Sequence, residues 1–126
     1  MRSPSRFSRL WLFLAGISGA MAVGFGAYGA HALAGEPTAA QWVEKASRYQ
    51  MYHAVALLAV SLMQREGGRL VCLAGLLFAF GSLFFCGALY GLALLSLPLN
   101  ALAPVGGCCF ILGWLALAAA ALWDRA

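Results

Sequence analysis

The stretch LWLFLAGISGAMAVGFGAYGAHAL, residues 10–33, decides the fold because it carries no formally charged side chain. An α-helix rises about 1.5 Å per residue, so a run of this length reaches across a hydrocarbon core of about 30 Å. Arginines precede the run, and the break after it comes at Glu36 and Pro37. The stretch therefore predicts a first membrane-spanning helix.

A cleaved signal peptide is the alternative interpretation of the same stretch. Ala32-Leu33-Ala34 followed by Gly35 has the small residues of a cleavage site, and arginines lie in front of the apolar run. The apolar part of a signal peptide spans only about 7 to 15 residues, however. The longer run favours a retained span over cleavage.

Further uncharged stretches predict that the whole chain, residues 1–126, is a single transmembrane domain. A helix that starts near Thr38 should begin at the membrane interface, where Glu44 and Arg48 form an i, i+4 pair, and then enter the bilayer. Short connections favour antiparallel neighbours. The predicted fold class is therefore all-α, an integral membrane four-helix bundle. Its spans are expected at about residues 10–33, 49–64, 70–97 and 105–123.

The composition agrees with membrane burial. The chain is 63% hydrophobic and 10% charged, with a mean hydropathy of +0.86, whereas soluble domains are roughly half apolar and a quarter charged. A net charge of +4 would suit an anionic partner. The basic residues flank the apolar runs instead, which is typical of topology signals and argues against nucleic-acid binding.

The distribution of lysine and arginine predicts the orientation. Six of these residues lie at the N-terminus, in the loop after the second span and at the C-terminus, whereas Lys45 and Arg48 lie on the other side. The excess predicts that both termini are cytoplasmic. Trp11 and Trp123 are then expected at the inner interface and Trp42 at the outer one, while Trp114 falls in mid-span. The six residues are Arg2, Arg6, Arg9, Arg65, Arg69 and Arg125.

Stripes of small residues should let the helices approach closely, because helices in lipid cannot associate by excluding water. Such stripes occur in every span except the second, whose larger residues could fill the grooves that the stripes leave. A glycine-lined conduit is the less favoured interpretation. The stripes are Gly16, Ala20, Gly24, Ala27 and His31 in the first span, Gly75, Ala79, Ser82, Cys86 and Tyr90 in the third, and Gly106, Cys109, Gly113, Ala116 and Ala120 in the fourth.

Five polar residues are expected to form one cluster in the outer half of the bilayer. Polar groups in a membrane are costly unless paired, so they should face inward and bind one another. The favoured interpretation is structural, with the cluster fixing the helix register. A functional interpretation remains, in which the histidines bind a ligand or a proton. The cluster consists of His31, Tyr49, Gln50, His53 and Tyr90.

Catalytic and metal-binding patterns do not emerge from the sequence. A metal site would need His31 and His53 with Glu36 or Glu44, and these residues form no local ligand motif. The four cysteines lie inside apolar runs and are interpreted as packing residues. We therefore expect no cofactor, no metal and no enzymatic activity.

Four short motifs occur along the four predicted spans. They are GAYGAHAL at 26–33, YQMYHA at 49–54, CGALY at 86–90, and PVGG at 104–107 with GW at 113–114. In this order and spacing they resemble the uncharacterised domain-of-unknown-function family 423, which includes eukaryotic transmembrane protein 256. The resemblance covers nearly the whole chain, and it implies a small multi-spanning protein of the bacterial inner membrane without assigning an activity. Cys86 and Ala88 stand where serines are usual in the family, and Ala103 where threonine is usual.

Two functional classes remain open at this point. The favoured class is an accessory or structural protein that contacts lipids and a membrane-protein partner or further copies of itself. It would use its apolar surface or the amphipathic stretch 38–47. The alternative is a small oligomeric carrier or channel that uses the polar cluster. The absence of charged residues from the predicted spans argues against transport.

Overall fold

The computed structural model describes residues 3–124, so Arg2 and Arg125 of the orientation argument lie outside the described residues. Within residues 3–124 the chain forms four helices and no strand. The predicted all-α class is confirmed. The helices are α1 (Arg6–Ala32), α2 (Pro37–Met63), α3 (Arg69–Leu95) and α4 (Leu102–Trp123).

The helix bounds follow recognisable local signals. The Ser5 hydroxyl caps α1 by accepting a hydrogen bond from the Ser8 amide. α2 begins at Pro37, whose missing N–H is not needed in the first turn, and continues for 27 residues without a break. α3 contains a π-helical segment at Ser82–Cys86 that the apolar pattern did not predict. α4 begins three residues before the expected start at 105, with Pro104 in its first turn.

Three of the four described helices, α1, α3 and α4, are long and apolar enough to cross a membrane. α2 is as long as α1, but it has the lowest mean hydropathy of the four helices. Its charged residues gather in its first half, at Glu44, Lys45 and Arg48. α2 therefore differs from its neighbours in polarity and not in length.

The helices lie in a row, with α2 and α3 in the middle. α1 packs along α2, α2 packs against α3, and α3 packs along α4. α1 approaches α3 at few positions, and within residues 3–124 it makes no close backbone contact with α4. Neighbours are antiparallel: the Ser8 hydroxyl near the start of α1 donates a 2.7 Å hydrogen bond to the Ser61 carbonyl near the end of α2.

Small residues repeat every seven positions on the facing sides of α1 and α2. A seven-residue repeat keeps one side of a helix against its partner, and small residues let the two backbones approach. The contact is tight: a Cβ added to Gly29 would lie 2.8 Å from Cγ1 of Val43. The repeats are Ser8, Ala15, Ala22 and Gly29 on α1, and Ser47, Ala54 and Ser61 on α2.

The predicted packing face of α1 is therefore wrong. All five residues of that stripe are exposed, and an added Cβ on Gly16 or Gly24 would have no neighbour within 4 Å. Glycine and alanine occur on every side of α1, so small size alone does not select a face. The seven-residue repeat of small residues identifies the face of α1 that contacts α2. The exposed stripe consists of Gly16, Ala20, Gly24, Ala27 and His31.

The stripes of α3 and α4 lie at helix contacts, where aromatic rings fill the space above glycines. A Cβ on Gly113 would lie 2.7 Å from Cε1 of Phe78, and a Cβ on Gly106 would overlap the backbone of Phe85. On α3, Gly75 is buried, while the side chains of its other two candidate packing residues, Ala79 and Ser82, are half-buried.

Trp11 departs from the expectation of an interfacial belt. Its side chain is only 1% exposed, and its indole packs on Gly75, where an added Cβ would lie 2.7 Å from Cε2. Because Gly75 has no side chain, it leaves a groove on α3, and the indole of Trp11 is buried in this groove instead of exposed to the membrane interface. Trp123 remains 69% exposed, as an interfacial residue would be.

The Asp124 carboxylate, which follows the end of α4, binds the start of α3. Its Oδ2 accepts hydrogen bonds from the amides of Leu70 at 3.1 Å and Val71 at 3.0 Å. The first amides of a helix lack intrahelical partners, and Gly68 before α3 has no side chain to supply one. The carboxylate at the end of α4 therefore takes the place of a local cap.

Gly113→Ala should destabilise the protein, because the new methyl group would overlap the Phe78 ring. We expect a loss of about 1 to 3 kcal/mol in the free energy of unfolding. Gly107→Ala is the matched control on the same helix, since the nearest atom to an added Cβ would be a Phe85 ring carbon at 4.0 Å. Unfolding of both variants in mixed micelles measures the difference, and equal stability would contradict this packing.

Candidate functional site: polar contacts of the second helix

Gln50 on α2 and Tyr90 on α3 form a buried polar contact. The Tyr90 hydroxyl donates a 2.7 Å hydrogen bond to Oε1 of Gln50. Tyr90 is 8% exposed and Gln50 is 4% exposed. Side chains lean toward the N-terminus of their own helix, so these two, on antiparallel helices, lean toward each other. The ring of Phe25 stacks on Tyr90 with centroids 4.3 Å apart. The contact therefore ties together α1, α2 and α3.

His53 makes a second polar contact, between α2 and α4. Its Nδ1 lies 2.7 Å from the backbone oxygen of Tyr49, and its Nε2 lies 3.1 Å from Nε1 of Trp114. The Phe110 ring stacks on the imidazole in a nearly parallel orientation, with centroids 3.6 Å apart. The imidazole is thus held at both nitrogens and on one face.

The partners of His53 fix its tautomer. A carbonyl oxygen only accepts hydrogen bonds, so Nδ1 carries the proton. An indole nitrogen only donates, so Nε2 of His53 accepts from Trp114. This arrangement holds a neutral imidazole, because a proton on Nε2 would face the indole N–H.

The five predicted cluster residues do not form one cluster. Gln50 and Tyr90 contact each other, whereas His53 faces α4. Tyr49 contributes its backbone oxygen to His53, and its ring, which is 37% exposed, lies near Phe85 with centroids 5.0 Å apart. His31 is exposed near the end of α1. Its expected place on a packing face is wrong because α1 turns the opposite side toward α2.

His53 lies near the middle of α2. The helix begins at Pro37, close to the predicted start near Thr38, and this places His53 about 24 Å along the helix axis. The polar contacts of Gln50 and His53 therefore both lie near the middle of α2.

An aromatic groove lies beside His53, between α2, α3 and α4. It has a volume of about 460 Å³, and its lining includes Tyr49, Phe85, Phe110 and Trp114. The groove is mostly apolar, and the nitrogens of its histidine already have partners. It therefore offers packing surface and no free hydrogen-bonding group on the imidazole.

No metal-binding constellation occurs within residues 3–124, where no group of three histidine, cysteine or acidic side chains comes together. The four cysteines are unpaired thiols at separate positions along α3 and α4. Cys86 is buried and Cys108 is exposed. The described residues thus provide no donor set for a metal.

Trp114 and Phe110 are the site residues that sequence reasoning missed. A signal for Trp114 was available, because it falls in mid-span instead of at an interface, and an indole N–H away from water needs an acceptor. His53 was the natural acceptor on a neighbouring helix. Phe110 gave no comparable signal, since one more phenylalanine in an apolar helix is unremarkable in composition.

Tyr90→Phe should destabilise the protein, because it leaves the buried Oε1 of Gln50 without its donor. We expect a loss of about 0.6 to 2 kcal/mol in the free energy of unfolding. Tyr52→Phe is the control, since Tyr52 lies on the same helix as Gln50 and is 54% exposed. Unfolding in mixed micelles would show a loss only for Tyr90→Phe, and equal stability of the two variants would contradict the contact.

Comparison with known proteins assigns the chain to a family. The profile of the family described as "Protein of unknown function (DUF423)" matches residues 25–107. A UPF0382 membrane protein of Staphylococcus epidermidis is 43% identical over 90% of this chain and 96% of its own length. The UPF0382 inner membrane protein YgdD of Escherichia coli is 39% identical over 85% of each chain. No solved structure matches. The chain therefore belongs to the DUF423 family of membrane proteins.

Proposed function

We propose that this protein is a non-enzymatic accessory or structural component of the bacterial inner membrane, which binds a larger membrane protein. The observation that carries the proposal is the state of His53, the more deeply buried of the two histidines. Both of its ring nitrogens are engaged inside the chain, at 2.7 and 3.1 Å. A group in this state stabilises helix contacts and is not free to accept a proton or bind a ligand.

The distribution of polar groups supports a structural role over transport. Gln50 faces α3 and His53 faces α4, so the two contacts do not join into one polar route. Ion and proton pathways in membranes are commonly marked by charged residues that face the bundle interior. In the described residues, the charged side chains of α2 are exposed and lie in its first half, at Glu44, Lys45 and Arg48.

The proposal includes the membrane in which the chain lies and the side on which its termini lie. The relative from Escherichia coli is named an inner membrane protein, and this supports the same membrane for this chain. α2 packs antiparallel along α1, so α2 should cross the bilayer with α1 despite its polar residues. Four crossings would leave both termini on one side. The six arginines at the termini and in the loop between α2 and α3, against Lys45 and Arg48 on the other side, favour the cytoplasm.

The start of α2 is the surface that we propose for the partner. Within residues 38–47, Val43 and Ala46 are completely buried against the chain, while Gln41, Glu44 and Lys45 are exposed. The exposed side of this stretch is therefore polar and carries charges of both signs. Charged groups at the rim of an interface set specificity and orientation between membrane proteins.

Purification of tagged protein from native membranes in mild detergent tests the proposal. We expect a membrane protein to co-purify in stoichiometric amount with the wild type and to be lost with Lys45→Glu. Glu66→Lys is the matched control, because it reverses an exposed charge in the loop between α2 and α3 and should retain the partner.

Vesicles that contain the purified protein provide the opposing outcome. The accessory role predicts no proton or solute flux above that of empty vesicles. Flux that is lost in His53→Ala, together with the absence of a stoichiometric partner, would contradict the proposal and establish the carrier or channel alternative.

A further inference from the structure

A second, smaller cavity lies between α1, α2 and α3. Its volume is about 210 Å³, and its lining includes Ser18, Met21, Gln50, Ser82 and Tyr90. A water molecule's share of liquid volume is about 30 Å³, so the cavity has the volume of about seven waters, or of one substituted ring.

Two buried hydrogen-bond donors at this cavity lack a proper acceptor. Gln50 is 4% exposed, and while its Oε1 accepts from Tyr90, its Nε2 reaches only the sulfur of Met21, at 3.9 Å. Thioether sulfur is a weak acceptor. The hydroxyl oxygen of Ser82 is also buried and has no hydrogen-bond partner among residues 3–124.

Ser82 differs in this respect from other serines of the helices. The hydroxyls of Ser47 and Ser61 each donate to the carbonyl three residues earlier, at 3.0 and 2.7 Å. A hydrogen bond to a carbonyl of the preceding turn is the usual one for a serine hydroxyl within a helix. Ser82 begins the π-helical segment Ser82–Cys86 and does not make it. Segments of this kind occur frequently at functional sites.

The donors lie close to the middle of their helices. The Cα atoms of Gln50 and Ser82 lie about 20 Å from one end of helices that are about 40 Å long. The ester carbonyls of phospholipids remain at the edge of the hydrocarbon core, about 15 Å from its centre. A partner for these donors must therefore come from a molecule that enters the bilayer interior.

We infer that this cavity binds a neutral lipophilic carbonyl compound of the quinone class, whose carbonyl oxygen accepts hydrogen bonds from Nε2 of Gln50 and the hydroxyl of Ser82. The lining presents two donors without a proper acceptor and no formal charge, which favours a neutral acceptor over an ion. Its size admits one ring, and its position suits a molecule dissolved among the acyl chains.

Met21 provides the entrance. Its side chain is 42% exposed and also lines a shallow lipid-facing groove beside the cavity. Methionine is flexible, so the thioether can move aside and release Nε2 of Gln50 to a stronger acceptor. This binding site is independent of the accessory role proposed above and of the surface at 38–47.

Binding of a radiolabelled decyl-substituted benzoquinone to the purified protein in lipid nanodiscs tests the inference. Empty nanodiscs measure simple partition into lipid. We expect saturable binding of one molecule per chain that is not displaced by decylbenzene, which has the same tail and ring and no carbonyl.

Ser82→Ala is the decisive variant, because its hydroxyl has no partner in the chain and its loss should leave the fold intact. We expect it to raise the Kd about five- to tenfold, the effect of one lost hydrogen bond. Ser47→Ala, whose hydroxyl bonds to its own helix outside the cavity, should bind as the wild type does. Absence of saturable binding, displacement by decylbenzene, or an unchanged Kd in Ser82→Ala would overturn the inference and leave a site for water alone.

Discussion

The need of buried polar groups for partners in a medium without water governs the arrangement of this bundle. α2 carries the buried glutamine and histidine, and neither lipid nor water at that depth can satisfy them. α3 supplies the hydroxyl of Tyr90 to Gln50, and α4 supplies the indole of Trp114 to His53. Since Gln50 and His53 lie one turn apart on α2 and reach different helices, the two contacts fix its rotation about its own axis. The least apolar helix is consequently a central one.

Packing of unlike shapes accounts for the rest of the arrangement. α1 and α2 approach through small residues on both helices, whereas α3 and α4 approach by inserting rings such as Phe78 above glycines such as Gly113. The first kind of contact brings two backbones close along their length, and the second gives a groove with one defined register. Trp11 links the two pairs by lying on Gly75 of α3. Large apolar side chains are left to face lipid.

Hydropathy and charge predicted the all-α class and the approximate helix positions, because both depend on residue composition along the chain. The faces of the helices were harder. On α1, glycine and alanine surround the axis, and the chosen stripe that ends at His31 proved to be the exposed side. The hydrogen-bond partners of Gln50 and His53 depend on which helices are neighbours. The sequence therefore marked Trp114 as unusual but did not identify it as the donor to His53. The π-helical segment and the cap that Asp124 gives to α3 arise from tertiary contacts and leave no local pattern.

We propose that α2 crosses the membrane as the polar middle helix. Single cysteines at Gln41 and Glu66, in a protein whose native cysteines are replaced by alanine, report the sidedness of its two ends; both residues are exposed. A membrane-impermeant maleimide should label Gln41→Cys in intact spheroplasts and Glu66→Cys only after permeabilisation. Labelling of both positions from the same side would show that α2 does not cross, and would contradict the account.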